Sequence, residues 1–226
     1  MASYFTLTLD TTGPASPSIS LDSGAEYATA QLVTATIGTT DSPTTGYQMK
    51  IWGDVDDTHN PSIQATEGAS SWISYSTSQQ VKLSSGDGSK TVYLKIRDDV
   101  YNESSQASDT IILDMTLPVV TVSNVSATKI SKVAGKNSMT FQFSSDSIFD
   151  EYKVKVVATS GAAHDTGTQI GTAGGSVNVS GSTGNYPSAT PITVTIKGAD
   201  LEAASGGDGA KIIKVFVKDD AGNWSA

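Results

Sequence analysis

One long pattern occurs twice in this chain, and this repeat constrains the fold more than any other feature of the sequence. Residues 86–104 read GDGSKTVYLKIRDDVYNES, and residues 207–225 read GDGAKIIKVFVKDDAGNWS. The offset between the two copies is 121 residues (207 − 86 = 121). Self-similarity at such a spacing indicates two similar modules in tandem. A chain of 226 residues is long enough for each module to have a core of its own.

Apolar and polar residues alternate with a period of two in both copies, which is typical of half-buried β-strands. Turn-forming Gly, Asp and Ser residues separate these runs from other short alternating runs. The sequence therefore predicts an all-β fold made of two tandem antiparallel β-sandwiches. The alternating apolar residues are Val92, Leu94 and Ile96 in the first copy and Ile213, Val215 and Val217 in the second.

A segment that ends in proline marks the boundary between the two modules. Leu113–Pro118 reads LDMTLP and is matched by Leu9–Pro14, LDTTGP, at an offset of 104 residues (113 − 9 = 104). Proline has no N–H to donate and restricts the residue before it, so such a segment ends one strand and leads into the next module. We predict an N-terminal strand or arm at residues 1–12, a first module at 13–114 and a second at 115–226.

The strand that follows the first copy has its counterpart at the other end of the chain. Residues 109–114 (DTIILD) follow the first copy, whereas only Ala226 follows the second, so the final strand of the second module is predicted to be missing. Two interpretations stay open for residues 4–10. They complete the second module of a neighbouring copy by β-strand addition, a role that a strand of another protein could also fill, or they pair locally with the first module or form a flexible arm. The interface candidates in this segment are Tyr4, Phe5, Leu7 and Leu9.

The composition argues against several classes of function. The formal net charge is −9, which disfavours a nucleic-acid partner because phosphate binding needs clustered Lys and Arg. The chain has no cysteine, so disulfides, thiolate zinc sites and cysteine nucleophiles are excluded. The N-terminus carries no basic segment followed by an apolar run, and no stretch is apolar enough to span a membrane. We therefore expect a protein made in a cytoplasm, without a signal peptide, a transmembrane segment or a membrane partner.

Two groups of acidic residues are candidates for a special role. Asp54, Asp56 and Asp57 follow a predicted strand and offer closely spaced oxygens, which suits Ca²⁺, the one candidate cofactor; the alternative is a solvated loop. The second group recurs in both modules, and we interpret it as turn-forming, because Asp and Asn side chains bond the nearby backbone and glycine adopts positive φ. Its members are Asp98, Asp99 and Asn102, and Asp219, Asp220, Gly222 and Asn223.

Two aromatic residues are predicted to lie on outward strand faces. Trp52 and Phe216 alternate with the apolar residues of their strands and therefore point away from the predicted core. Such a side chain is an interface anchor or a sugar-stacking platform, or else an ordinary half-covered residue. Both residues are retained as interface candidates.

No catalytic constellation is recognisable in the sequence. There is no Gly-x-Ser-x-Gly elbow, phosphate-binding loop or His-Glu-x-x-His motif, and the two histidines fall in separate predicted loops. We therefore expect no enzymatic activity.

Several of these motifs together resemble a known family. The Leu-Asp-x-Thr-x-Pro starts, the Tyr47-x-Met49-x-Ile51 strand and the ending Asp220-Ala-Gly-Asn-Trp-Ser225 are similar to the tandem immunoglobulin-like modules of bacterial surface proteins and tailed-phage virion proteins. The resemblance covers nearly the whole chain and implies two tandem immunoglobulin-like β-sandwiches. The absence of an export signal and of a long array favours the phage members.

The resemblance to the phage members implies a non-enzymatic virion structural protein that decorates the capsid exterior. A tail- or fibre-associated spacer is the alternative within this class, and a bacterial surface adhesin fragment that binds carbohydrate or protein is the alternative outside it. The implied partners are other virion proteins of the capsid or tail, copies of the chain itself and, weakly, carbohydrate of the host surface.

We predict that EDTA will leave the melting temperature of the chain nearly unchanged. Two self-sufficient cores need no ion, and removing a peripheral Ca²⁺ costs only the small stabilisation that its binding adds. Calorimetry with and without the chelator measures the effect. A decrease of more than about 10 °C would instead show that a bound metal ion stabilises the fold and would favour the calcium interpretation of Asp54, Asp56 and Asp57.

Overall fold

The computed structural model describes residues 3–226, which divide after Met115 into two compact units, here called module 1 and module 2. Regular structure in both is β strand, apart from one helix of seven residues in module 2. Within the described residues, no helix has the length and the apolar character that crossing a membrane requires. The strands of module 1 are β1 (Ser18–Leu21), β2 (Tyr27–Ala28), β3 (Leu32–Gly38), β4 (Gln48–Gly53), β5 (Ile73–Ser74), β6 (Ser78–Lys82), β7 (Gly88–Arg97) and β8 (Ala107–Leu113).

Module 1 is a sandwich of two sheets. One sheet has the strand order β1-β3-β6, and the other has the order β2-β8-β7-β4-β5. The pairing is antiparallel except between β2 and β8, which run parallel. The alternation in β7 sends Val92, Leu94 and Ile96 into the core, where each is fully buried. This arrangement defines an immunoglobulin-like sandwich.

Module 2 is built on the same plan. Its sheets have the order β14-β10-β9 and the order β12-β11-β13, with β15 paired to the other edge of β11. Its core contains an aromatic cluster in which Phe143, Phe149 and Tyr152 are in ring contact. The elements are β9 (Val120–Ser123), β10 (Ser138–Ser145), β11 (Glu151–Val157), β12 (Thr168–Gln169), β13 (Ser180–Gly181), β14 (Ile192–Lys197), α1 (Gly198–Ala204) and β15 (Ile212–Lys218).

The fold class predicted from the sequence, two tandem immunoglobulin-like β-sandwiches, is confirmed. The modules correspond strand by strand, because β1, β3, β4, β6 and β7 have their counterparts in β9, β10, β11, β14 and β15. One difference between them concerns the second edge of the last shared strand. In module 1 the strand β7 lies between β4 and β8, whereas β15 is paired with β11 alone. Among residues 116–226 no strand corresponds to β8.

The turns that follow β7 and β15 have the same hydrogen bonds. The buried carboxylate of Asp98 accepts from the backbone N–H of Asn102 at 2.9 Å, and that of Asp219 accepts from the backbone N–H of Asn223 at 2.8 Å. Gly222 has φ +99°, and Tyr101 occupies the same position of the first turn with φ +68°. The outward neighbours Asp99 and Asp220 are exposed. Both turns therefore return the chain along the edge of the strand that precedes them.

Candidate assembly site at the open edge of module 2

Strand β15 has an open edge. At its end Lys218 bridges to Trp224, and Ser225 bonds the N–H and C=O of Val217; before Val217, no residue between 3 and 226 pairs with β15 on the side away from β11. The backbone of Val154 in β11 bonds away from β15, since its N–H donates to Val179 and its C=O accepts from Ile170. Val215 lies directly opposite Val154 in an antiparallel ladder, so its N–H and C=O also point away, toward the open edge.

The missing partner also shortens the strand. The β7–β8 pairing extends from Leu94 back to Gly88, whereas the β4–β7 pairing stops at Val92, so the first residues of β7 are paired with β8 alone. The equivalent residues in module 2, 209–211, are not in a strand. They correspond to the part of β7 that only β8 stabilises.

Core side chains of module 2 are uncovered beside this edge. Val92 is fully buried in module 1, whereas Ile213, its counterpart 121 residues later, is only half-buried. The opposite sheet shows the same difference at Leu21, which is 0% exposed, and Val125, which is 52% exposed. These two residues are equivalent, because the residue after each donates its backbone N–H to the equivalent threonine of the adjacent strand.

The uncovered side chains line a groove of about 770 Å³ between β9 and β15. Its walls are mainly apolar, and four of its residues belong to the segment 209–213 that leads into β15. In module 1 the strand β8 packs against β1 and fills the corresponding place. The lining residues are Val122, Val125, Ala127, Thr128, Lys129, Ile130, Met139, Phe141, Ile196, Leu201, Gly209, Ala210, Lys211, Ile213 and Val215.

Helix α1 contributes Leu201 to the groove and is held in place by a buried carboxylate. Asp200 accepts hydrogen bonds from the backbone N–H groups of Gly174 and Ser176. Burial raises the pKa of Asp200, but the hydrogen bonds from Ser176 and Gly174 outweigh it and hold the pKa below its ordinary value. The carboxylate is therefore charged at neutral pH and fixes this wall of the groove.

The N-terminal segment presents an apolar strip to solvent. Residues 3–12 are in no strand or helix, and Tyr4, Phe5, Leu7 and Leu9 are 94%, 86%, 83% and 86% exposed. The chain is in close contact with module 1 at Gly13, where a Cβ atom would lie 2.1 Å from the carbonyl oxygen of Glu103. Residues 3–9 are thus an unpaired, strongly apolar segment attached to a fixed point.

The structure does not assemble the predicted calcium ligands into a site. Asp54 accepts from the N–H of Thr91 at 2.8 Å, Asp56 forms a 2.8 Å ion pair with Lys82, and Asp57 accepts from the N–H of Ala65 at 2.7 Å. The hydrogen bonds from Lys82 and Thr58 hold the pKa of Asp56 well below its ordinary value. Within residues 3–226 no three His, Cys, Asp or Glu side chains are grouped to hold a metal ion. Calcium binding at these residues stays a prediction.

The expectation that Trp52 and Phe216 are exposed interface residues needs correction. Both lie on the outward sheet face, as the alternation predicts, but Trp52 is 7% exposed and Phe216 is 0% exposed. Neighbouring side chains and loops cover both rings. The Trp52 ring stacks on Tyr93 with ring centroids 5.7 Å apart, and the Lys214 ammonium, which lies 5.0 Å from the Phe216 ring, bonds the loop carbonyls of Ser160 and Ala162. Neither aromatic side chain is free to contact a partner.

The sequence singled out the apolar N-terminal segment, whose interface role stays a prediction, but it did not indicate the groove. The signal was present at Val125, which matches the core residue Leu21 at an offset of 104 residues (125 − 21 = 104). Alignment of the two modules beyond the repeated strand would have placed Val125 at a core position, with no strand among residues 116–226 in the place of β8 to cover it. Helix α1 has no counterpart in module 1, so the repeat gave no signal for Leu201.

Comparison with known proteins gives likeness in structure only. No protein-family model matches the sequence, and neither does any curated protein. The chain is similar to the fibronectin(III)-like modules of Clostridium thermocellum CbhA, with a TM-score of 0.44, 13% identity, and coverage of 92% of this chain and 89% of that one. The D00–D0 domain of intimin has a TM-score of 0.35, 11% identity, and coverage of 93% and 96%.

A third solved structure, the chitinase ChiA74 of Bacillus thuringiensis, has a TM-score of 0.30 and 14% identity. The match covers 92% of this chain and 30% of the chitinase. Likeness at this level does not say what the present chain binds.

Because Phe216 is buried, Phe216→Ala should lower the free energy of unfolding by about 3–5 kcal/mol. The matched control is Ile212→Ala, on the same strand and the same face but 41% exposed, which should cost less than about 1 kcal/mol. Urea unfolding of the full chain measures both. Equally small effects would show that Phe216 is not part of the packed interior.

Proposed function

We propose that the chain is a non-enzymatic structural protein of a tailed-phage virion that decorates the capsid exterior. The observation that carries the proposal is the open edge of β15 together with the apolar groove beside it. A sandwich that leaves backbone groups and core side chains uncovered at one edge is suited to incorporation into an assembly, where another segment covers them.

The candidate chemistry of the chain is used within its own fold, which supports a structural role. The ring of His164 stacks on Trp224 with ring centroids 4.6 Å apart, and Asp56 is paired with Lys82. The remaining histidine, His59, lies exposed in a loop. His164 and Asp56 thus hold parts of the fold together, whereas His59 faces solvent.

Two further properties support the capsid exterior. The net charge of −9 favours solubility and does not suit a phosphate-binding interior position. The motif at Asp220–Ser225, together with the two Leu-Asp-x-Thr-x-Pro starts, resembles modules of phage virion proteins. A fold alone does not determine function, so the proposal rests on the open edge and on these sequence motifs.

Immunogold electron microscopy of purified particles of the phage that encodes the chain tests this proposal. Antibodies against the chain should label intact particles, with the gold over the capsid. Label confined to the tail or fibres would replace capsid decoration by the spacer role. Absence of the chain from particles, or its presence on the bacterial surface, would contradict the virion proposal; pre-immune serum is the control.

A further inference from the structure

We propose that residues 3–9 of one copy insert into the groove of module 2 in a second copy and pair with β15, so that copies join head to tail. This inference rests on the proposed function, in which the open edge is used in an assembly, and it names the partner as the chain itself. It is argued from the β7–β8 pair of module 1, which supplies a template for the joint.

The template fixes the register of the pairing. In module 1, β7 and β8 are antiparallel, with Gly88 opposite Leu113, Lys90 opposite Ile111 and Val92 opposite Asp109. Adding 121 to the β7 numbers and subtracting 104 from the β8 numbers transfers these pairs to module 2 and the N-terminal segment. The transferred pairs are Gly209 with Leu9, Lys211 with Leu7, and Ile213 with Phe5.

The side chains of the donor segment fit the uncovered core. Ile111 and Leu113 are buried in the core of module 1, and their counterparts Leu7 and Leu9 are exposed apolar side chains of the same kind. The acceptor residues Gly209, Lys211 and Ile213 all line the groove. Insertion would therefore bury the apolar strip of one copy against the uncovered core of another, which is favourable because both surfaces leave water.

One position makes the proposed joint more apolar than its template. Asp109 in β8 accepts a 2.7 Å hydrogen bond from the N–H of Leu21, whereas the residue in its place on the donor is Phe5. The groove at this point includes Val125, the counterpart of Leu21. An aromatic ring over an exposed valine replaces a polar contact, which suits a joint formed between separate chains.

The acceptor backbone is already shaped for a partner strand. Gly88, where the β7–β8 pairing begins, has φ +123°, and its counterpart Gly209 has φ +122°. Gly86 and Gly207 also match, with φ +84° and +76°. The turn leading into β15 thus has the conformation that precedes a paired strand, and little rearrangement is needed for 209–211 to extend it.

The residues that follow the donor segment match those that follow β8 within the same copy. Strand β8 is followed by Leu113–Pro118 and then by β9, and the donor segment is followed by the matching Leu9–Pro14 and then by β1. Pro14 and Pro118 are both buried. Each copy has one donor segment, attached to module 1, and one acceptor groove, in module 2, so the contact is heterologous and generates rings or open chains of copies.

Analytical ultracentrifugation of the full chain and two single-site variants tests the inference. The wild-type chain should self-associate in a concentration-dependent way. Leu7→Asp should weaken association at least about tenfold, because it places a charge in the groove, whereas Thr8→Asp, whose side chain points outward in the same strand, should assemble like wild type. Leu7 is exposed in the free chain, so neither substitution disturbs the fold.

A synthetic peptide of residues 3–12 provides the second measurement. It should bind a variant lacking residues 1–10 and slow hydrogen exchange at residues 209–215, while the same peptide with Leu7→Asp should not.

The inference is overturned if the two variants assemble alike, if the truncated chain assembles normally, or if the wild type stays monomeric at all concentrations, whether its edge is open or covered by its own N-terminus. A chain that labels the capsid but does not self-associate would refute this inference and leave the proposed function standing. Self-association without particle labelling would support this inference and contradict the proposed function.

Discussion

One backbone ladder, the pairing of β7 with β8, explains most of what distinguishes the two modules. An inner strand of a sandwich needs partners along both edges, because unpaired N–H and C=O groups and the core beneath them are otherwise left to water. Module 1 meets this need from its own chain. Module 2 has the same strand and the same turn after it, but within the described residues β11 is its one partner strand. The shorter β15, the half-buried Ile213, the exposed Val125 and the groove all follow from this single difference.

Strand addition would complete backbone and core in one step. The ladder supplies affinity without sequence preference, whereas the alternating side chains of Phe5, Leu7 and Leu9 fix the register, since a slip of one residue would turn all three to solvent. The joint is also directional, because donor and acceptor differ. In an open row of copies, one donor and one acceptor remain free at the two ends, and a segment of a capsid or tail protein could occupy either. Self-association and attachment to a particle are therefore compatible.

The fold was predictable because its signals are local and repeated. The alternation at Val92, Leu94 and Ile96 has a period that only a half-buried strand satisfies, and its recurrence 121 residues later identifies the second module. The outward direction of Trp52 and Phe216 was predictable for the same reason. Their burial was not, because it depends on neighbouring side chains and on loops that cover the rings, and loop paths are set by long-range contacts such as those of Lys214 with Ser160 and Ala162.

The candidate site also has one part that the sequence could predict and one that it could not. The unpaired donor segment was visible in the sequence through its match to residues 109–114. The groove was not, because its walls come from β9, β10, β14, α1 and the start of β15, which only the tertiary structure brings together. In the acidic loop the sequence suggested a site that the tertiary structure does not assemble. Spacing alone suggested shared calcium ligands at Asp54, Asp56 and Asp57, whereas the fold gives each carboxylate a separate partner.

Site-directed cross-linking between copies tests the central claim most directly. The chain has no cysteine, so a copy with Thr6→Cys and a copy with Ile212→Cys carry one thiol each. The template pair for these positions is Thr110 and Thr91, whose hydroxyl oxygens are 3.0 Å apart, well within the reach of a disulfide. Under mild oxidation the two variants should form a mixed dimer, whereas Thr6→Cys with Lys218→Cys, about 20 Å farther along the strand, should not. Equal yields from both pairs, or no cross-link from the first, would contradict the account.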